Sequence, residues 1–170
     1  VQMGVYSPLL RLSSKRGKYY KREPWKWDVK TLKIVKDYLQ MRHRLIPYLY
    51  TEGYKYHQTG KPLIEPLYYQ NPEIYDEPKY KNEYYFGSEL LVCPITKQKD
   101  TVMNRTVKDV FLPEGVWYDF KTGKKFLGDK RYVVFYKDED YPVFAKSGSI
   151  VPLGNFYENI NDTRPPESME

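Results

Sequence analysis

The stretch "GVWYDFKTGKKFLG", Gly115 to Gly128, decides how the fold is read. Val116 to Phe120 is built from the β-branched and aromatic residues that strands favour. Thr122 and Gly123 form a turn, and the chain returns through Phe126 as a second strand. The neighbouring sequence has the same texture. "YYFGSELLVCPI" (84–95) reads as two short strands about Gly87, and "TVKDVFLP" (106–113) alternates Val107, Val110 and Leu112 imperfectly. "KRYVVFYK" (130–137) is another strand, "DEDYP" (138–142) a turn, and "PVFAKSGSIVPL" (142–153) two strands about Ser147 and Gly148. "KPLIEPLYY" (61–69) is short and β-like, and "NPEIYDEPKYKNE" (71–83) is a loop. Many short strands at regular spacing, broken by Gly and Pro, imply an antiparallel β-sandwich.

Before Gly60 the period changes. Asp28 is a good N-cap, and Ile34, Tyr38, Met41, Leu45 and Tyr48 recur at spacings of four and three. This is one apolar helical stripe. Pro47 lacks a backbone donor, so the helix should kink or restart near His43, resume, and stop at Gly60. Met3 to Leu12 reads as a buried strand entering a loop over Ser13 to Trp27. The expected class is α+β, mainly β: a strand, a loop and a long helix ahead of the sandwich.

Composition narrows the chemistry. The net charge is +6, with cations dispersed among acids except for Lys15–Arg22. A single cluster of this kind is usually a solvated loop, so no nucleic-acid partner is expected. No apolar run approaches the ~20 residues of a membrane span, and no membrane partner is expected. The nineteen tyrosines suit half-wet clefts and interfaces. Cys93 is a single thiol in an apolar run and reads as a buried structural residue. His43 and His57 share no short motif, so no metal site is expected. Asp138, Glu139 and Asp140 sit together in a turn and read as a solvated acidic group rather than a facing catalytic pair. G-x-S-x-G, phosphate-cradling glycine loops and C-x-x-C are absent from the sequence. No cofactor is expected and no catalytic residue is assigned. The start "VQMGVY" reads as the interior of a longer protein, and the ordinary composition with one cysteine suggests a cytoplasmic bacterial parent.

Seven segments, in order, resemble family 31 of the glycoside hydrolases, the retaining α-glucosidases and α-xylosidases. "VQMGVYSPLLRLSS" resembles that family's Q-x-G-x-F-x-P-x-x-R-x-H-S, and "REPWKW" its EPW. "RHRLIPYLYT" is similar to R-x-x-L-x-P-Y-L-Y, "GKPLIEPLYY" to G-x-P-x-x-R-P-L, and "YFGSELLVCPI" to F-G-x-x-L-L-V-A-P-V. "FLPEGVWYDFKTG" and "PVFAKSGSIVPL" resemble L-P-x-G-x-W-x-D and P-x-F-x-x-x-G-x-I-x-P.

The resemblance implies that residues 1–60 are the end of a catalytic (β/α)₈ barrel, with Met3–Arg11 as its eighth strand and residues 28–58 as the helix after it. Residues 61–154 would be the proximal C-terminal β-sandwich, and 155–170 a linker towards a further domain. It implies a retaining double displacement on α-glycosides, with both catalytic aspartates outside this chain. Barrel active sites lie at the C-terminal ends of strands, which places Arg11 and Ser13 against the substrate. Two departures stand out. Ser13 occupies the position of a sugar-binding histidine, and Glu65 that of an arginine. The expected partners are an α-linked oligosaccharide and the rest of the parent barrel. The competing readings are a non-catalytic carbohydrate-binding sandwich and a nucleic-acid binder using Lys15–Arg22.

Overall fold

The computed structural model describes residues 1–13 and 22–155. The basic cluster expected at Lys15–Arg22, apart from Arg22, and the linker expected over 155–170, apart from Asn155, lie outside the described residues. The chain divides into two compact units, one of Val1–Tyr54 with Pro152–Glu170 and one of Lys55–Val151.

The first unit is helical. Helix α1 spans Gln2–Val5, α2 Val29–Arg44 and α3 Ile46–Thr59. Asp28 caps α2 as its sequence position implies, its Oδ1 accepting from the Thr31 N–H at 2.9 Å. The expected interruption falls at Leu45, two residues beyond the place suggested by Pro47. Proline is tolerated in a first turn, where no intrahelical donor is needed, so Pro47 starts α3 rather than bending α2. Val35, Tyr38, Leu45 and Tyr48 are buried.

The strand expected over Met3–Leu12 is not formed. The Val5 N–H donates to the Val1 carbonyl at 3.1 Å and closes a helical turn instead. The physical reason is pairing: a strand needs donors and acceptors alongside, and among the described residues no strand flanks this segment.

The second unit is antiparallel β. Strands β1 (Ile64–Pro66), β2 (Tyr84–Phe86), β3 (Leu90–Val92), β4 (Thr106–Leu112), β5 (Val116–Asp119), β6 (Lys125–Leu127), β7 (Lys130–Tyr136) and β8 (Val143–Lys146) form two sheets. One has the order β1-β2-β3-β8-β5-β6 and the other is the β4-β7 pair. All pairings are antiparallel. Leu91, Cys93, Val110, Leu112, Trp117 and Phe144 meet in one core. Trp117 is 1% exposed, and its indole N–H donates to the Pro113 carbonyl at 2.8 Å.

The hairpin of Gly115–Gly128 forms as read, with Trp117 opposite Phe126. Its loop is held by Asp119, whose Oδ1 accepts from the backbone N–H of Lys121 (3.1 Å) and Thr122 (2.7 Å) and from the Thr122 hydroxyl (2.8 Å). Gly128 permits a close approach: its N–H meets the Gly115 carbonyl at 2.6 Å, and a Cβ there would fall 2.0 Å from the Pro113 oxygen. One strand is missing relative to expectation. After Gly148 the chain is irregular and Ile150 is 82% exposed, so "IVPL" adds nothing to a sheet. The expected loop at 71–83 is packed rather than loose, with Ile74 and Tyr80 in the core.

Candidate functional site

Residues 1–13 are organised by one side chain from α2. The Arg42 guanidinium donates through Nη1 to the carbonyls of Val5 (3.0 Å) and Ser7, and through Nη2 to that of Pro8 (2.8 Å). Partial burial pulls the Arg42 pKa below the ordinary arginine value, but the group stays charged at any physiological pH. The Ser7 hydroxyl lies 3.0 Å from the Gly4 carbonyl and 2.8 Å from that of Leu9. Leu10 folds back over Gly4, where a Cβ would stand 2.4 Å from Leu10 Cδ1.

Arg11, Leu12 and Ser13 emerge from this turn exposed. Arg11 and Ser13 therefore stand two positions apart on one exposed stretch. Further along, Trp25 is 71% exposed in a short 3₁₀ turn, flanked by a Lys26–Glu23 ion pair at 2.9 Å. Glu65 accepts from Gln70 Nε2 at 2.6 Å. The Asp138–Asp140 turn is tied by Lys99 to Asp138 (2.8 Å) and by Lys121 to Asp140 (2.8 Å).

The sandwich contains a second polar constellation that the sequence did not signal. Glu83, 1% exposed, accepts from the Phe111 N–H through Oε1 at 3.0 Å. Burial, opposed by that N–H and by the Lys108 charge, pushes its pKa up to about 8. The neighbouring Cys93 thiol is pushed well up by burial and by the Glu83 charge. It is thus a protonated core residue, as read from its apolar run, and not a nucleophile. The small cavity beside Lys108, about 60 Å³, has room for a few waters. Ligand pockets are several times larger. Among the described residues, no group of His, Cys, Asp and Glu has the proximity to hold a metal ion, and no helix is long and apolar enough to cross a membrane.

Sequence reasoning missed Arg42 and Glu83. Arg42 was visible as the first residue of R-x-x-L-x-P-Y-L-Y, but its carbonyl partners lie 34 to 37 positions away. Glu83 ends a polar loop, where a carboxylate is ordinarily solvated, and nothing local predicts its burial.

A helical unit that carries an exposed turn is followed along the chain by an antiparallel two-sheet unit. The chain belongs to glycoside hydrolase family 31: residues 60–151 match the family's C-terminal domain and residues 1–52 its TIM-barrel domain. It is 32% identical over 157 residues to alpha-glucosidase 2 of Bacillus thermoamyloliquefaciens, covering 91% of this chain and 19% of that protein. It is 28% identical over 165 residues to an alpha-xylosidase of Saccharolobus solfataricus, covering 95% and 21%. Among solved structures it superposes on the Flavobacterium johnsoniae GH31 dextranase complexed with isomaltotriose, with a TM-score of 0.82 at 33% identity, over 97% of this chain and 20% of that one. The chain thus spans about a fifth of the length of these relatives.

Proposed function

We propose that this chain is the C-terminal part of a retaining α-glycosidase, most simply an α-glucosidase, and is inactive by itself. Residues 1–60 close the catalytic barrel, 61–154 form the proximal sandwich, and 155–170 lead onward. The observation that carries the reading is the succession of both family domains along one chain, over residues 1–52 and 60–151. The kinship with an alpha-glucosidase, an alpha-xylosidase and a dextranase complexed with isomaltotriose supports the substrate class.

In this reading Arg11 and Ser13 face the bound sugar. The Arg11 guanidinium offers a planar fork of donors to adjacent hydroxyls. The Ser13 hydroxyl gives a shorter, uncharged contact where a histidine would reach further. Nucleophile and acid/base come from other parts of the full-length enzyme, which would form and then hydrolyse a covalent glycosyl intermediate. The rest of the barrel is the partner of residues 1–60, and the cytoplasm is the proposed compartment.

The test is to assay the full-length enzyme on p-nitrophenyl α-glucoside and follow the first-formed anomer by proton NMR. The α-anomer is expected, with Arg11→Ala lowering kcat/KM by roughly a hundredfold, as for loss of a charge-assisted contact. An initial β-anomer, or an Arg11→Ala enzyme with undiminished kcat/KM, overturns the reading. The isolated chain should leave the substrate intact.

A further inference from the structure

We propose that Arg42 is the positioning residue of the sugar-facing segment, setting the direction in which the chain delivers Arg11 and Ser13. This rests on the reading above and adds a residue to it. Three backbone carbonyls, of Val5, Ser7 and Pro8, converge on one guanidinium. Converging carbonyl dipoles repel one another, and buried acceptors left unmet are costly. A planar cation with five N–H donors in a fixed fork is suited to hold them together. Lysine has three donors on a single point and cannot span the same arc.

Among the described residues the three carbonyls have no secondary-structure partner to replace the arginine. Val5 is the last residue of α1, where carbonyls are left over. Ser7 and Pro8 belong to no helix or strand. The clamp sits three residues before Arg11, and the intervening chain is fixed at a second point, where Leu10 seats against Gly4. The contacts therefore bracket the approach to Arg11 and leave Arg11–Ser13 free to face outward. Arg42 touches no substrate in this arrangement. Its influence passes through the backbone, and a small change in direction at Pro8 displaces the guanidinium of Arg11 by more. Misplacement of about 1 Å at a site can cost a hundredfold in rate.

The experiment compares Arg42→Lys and Arg42→Ala with the wild type in the full-length enzyme. Three readouts are taken: thermal unfolding, kcat and KM on p-nitrophenyl α-glucoside, and the rate of tryptic cleavage after Arg11. The expected result is a fall in kcat/KM of ten- to a hundredfold in Arg42→Ala. Arg42→Lys should fall less, at an unfolding temperature close to wild type. Cleavage after Arg11 should accelerate several-fold in the same order. A purely structural arginine would lower the unfolding temperature and leave the kinetics of the folded enzyme alone. If Arg42→Ala does not fold, Arg42→Lys decides. Wild-type kcat/KM and cleavage rate in a folded Arg42→Lys or Arg42→Ala enzyme overturn the proposal. A wild-type enzyme with no action on α-glycosides sinks the proposed function. Accelerated cleavage after Arg11 in the variants would then still report the clamp, and unchanged cleavage would remove it.

Discussion

The N-terminal turn and the β4 edge of the sandwich face the same difficulty and answer it with opposite charges. In each, backbone groups that no helix or strand bond satisfies are met by a charged side chain distant in sequence. At the turn the orphans are carbonyls, and Arg42 gathers three. At β4 the orphan is the N–H of Phe111, and the Glu83 carboxyl takes it. The difference lies in what each charge does at neutral pH. An arginine cannot shed its proton, so the turn is held at any physiological pH. Glu83 can be neutralised by taking a proton up, and burial drives it that way. The first solution is independent of pH, and the second is not.

The largest effect expected is in the apolar core of the sandwich. Trp117→Ala removes a fully buried indole and its bond to Pro113. It should cost about 3–5 kcal/mol, read by denaturant unfolding. A loss below ~1 kcal/mol would mean the two sheets do not depend on that packing.

Next comes the pH response of Glu83. Its folded-state pKa, about 8, lies above the unfolded value of 4.5. The folded state therefore binds the proton more tightly. The stability linked to this proton is fully present below the unfolded value and is lost as pH rises from there through about 8. The free energy of unfolding should fall between pH 5 and 8, with a slope of up to about 1.4 kcal/mol per pH unit, and the unfolding temperature with it. Glu83→Gln retains an acceptor for Phe111 and should flatten that slope. An equally steep slope in Glu83→Gln would assign the effect to another group. The contrast with the turn is sharpened if cleavage after Arg11 shows no comparable change over the same range.

A smaller effect is expected at the start of α2. Asp28→Ala removes the cap on Thr31 and should lower the unfolding temperature by roughly 2–4 °C, with Asp28→Ser restoring most of it. The smallest belongs to the exposed Glu77–Arg131 pair, in which Arg131 Nε reaches Glu77 Oε2 at 3.1 Å. Arg131 also lies over the rings of Tyr80 and Phe111. Glu77→Gln should shift unfolding by a degree or so, and less in high salt. A large shift would mean that Glu77 is needed to hold Arg131 over the two rings.

Much of the sandwich was legible because its signals are local. The Gly115–Gly128 hairpin, the strands about Gly87 and the cap at Asp28 each depend on residues within a few positions of one another. "IVPL" after Gly148 was overread, since apolar residues permit a strand but do not supply its neighbour. Met3–Leu12 was overread in the same way, and its helical turn needs only Val1 and Val5. Arg11 and Ser13 were reached through the resemblance alone, and the structure adds that both are exposed.

The amino-acid order by itself determined the class of the protein and the succession of a helical part and a sandwich. Hydrophobic period, turn chemistry and capping are short-range, so one chain read in one direction contains them. Tertiary structure alone decided which polar groups would be taken out of water and by what they would be met. Arg42 with Val5, Ser7 and Pro8, and Glu83 with Phe111, are pairings across about thirty residues. The energy of a buried charge depends on the few atoms that surround it in space, and no stretch of sequence holds all of them.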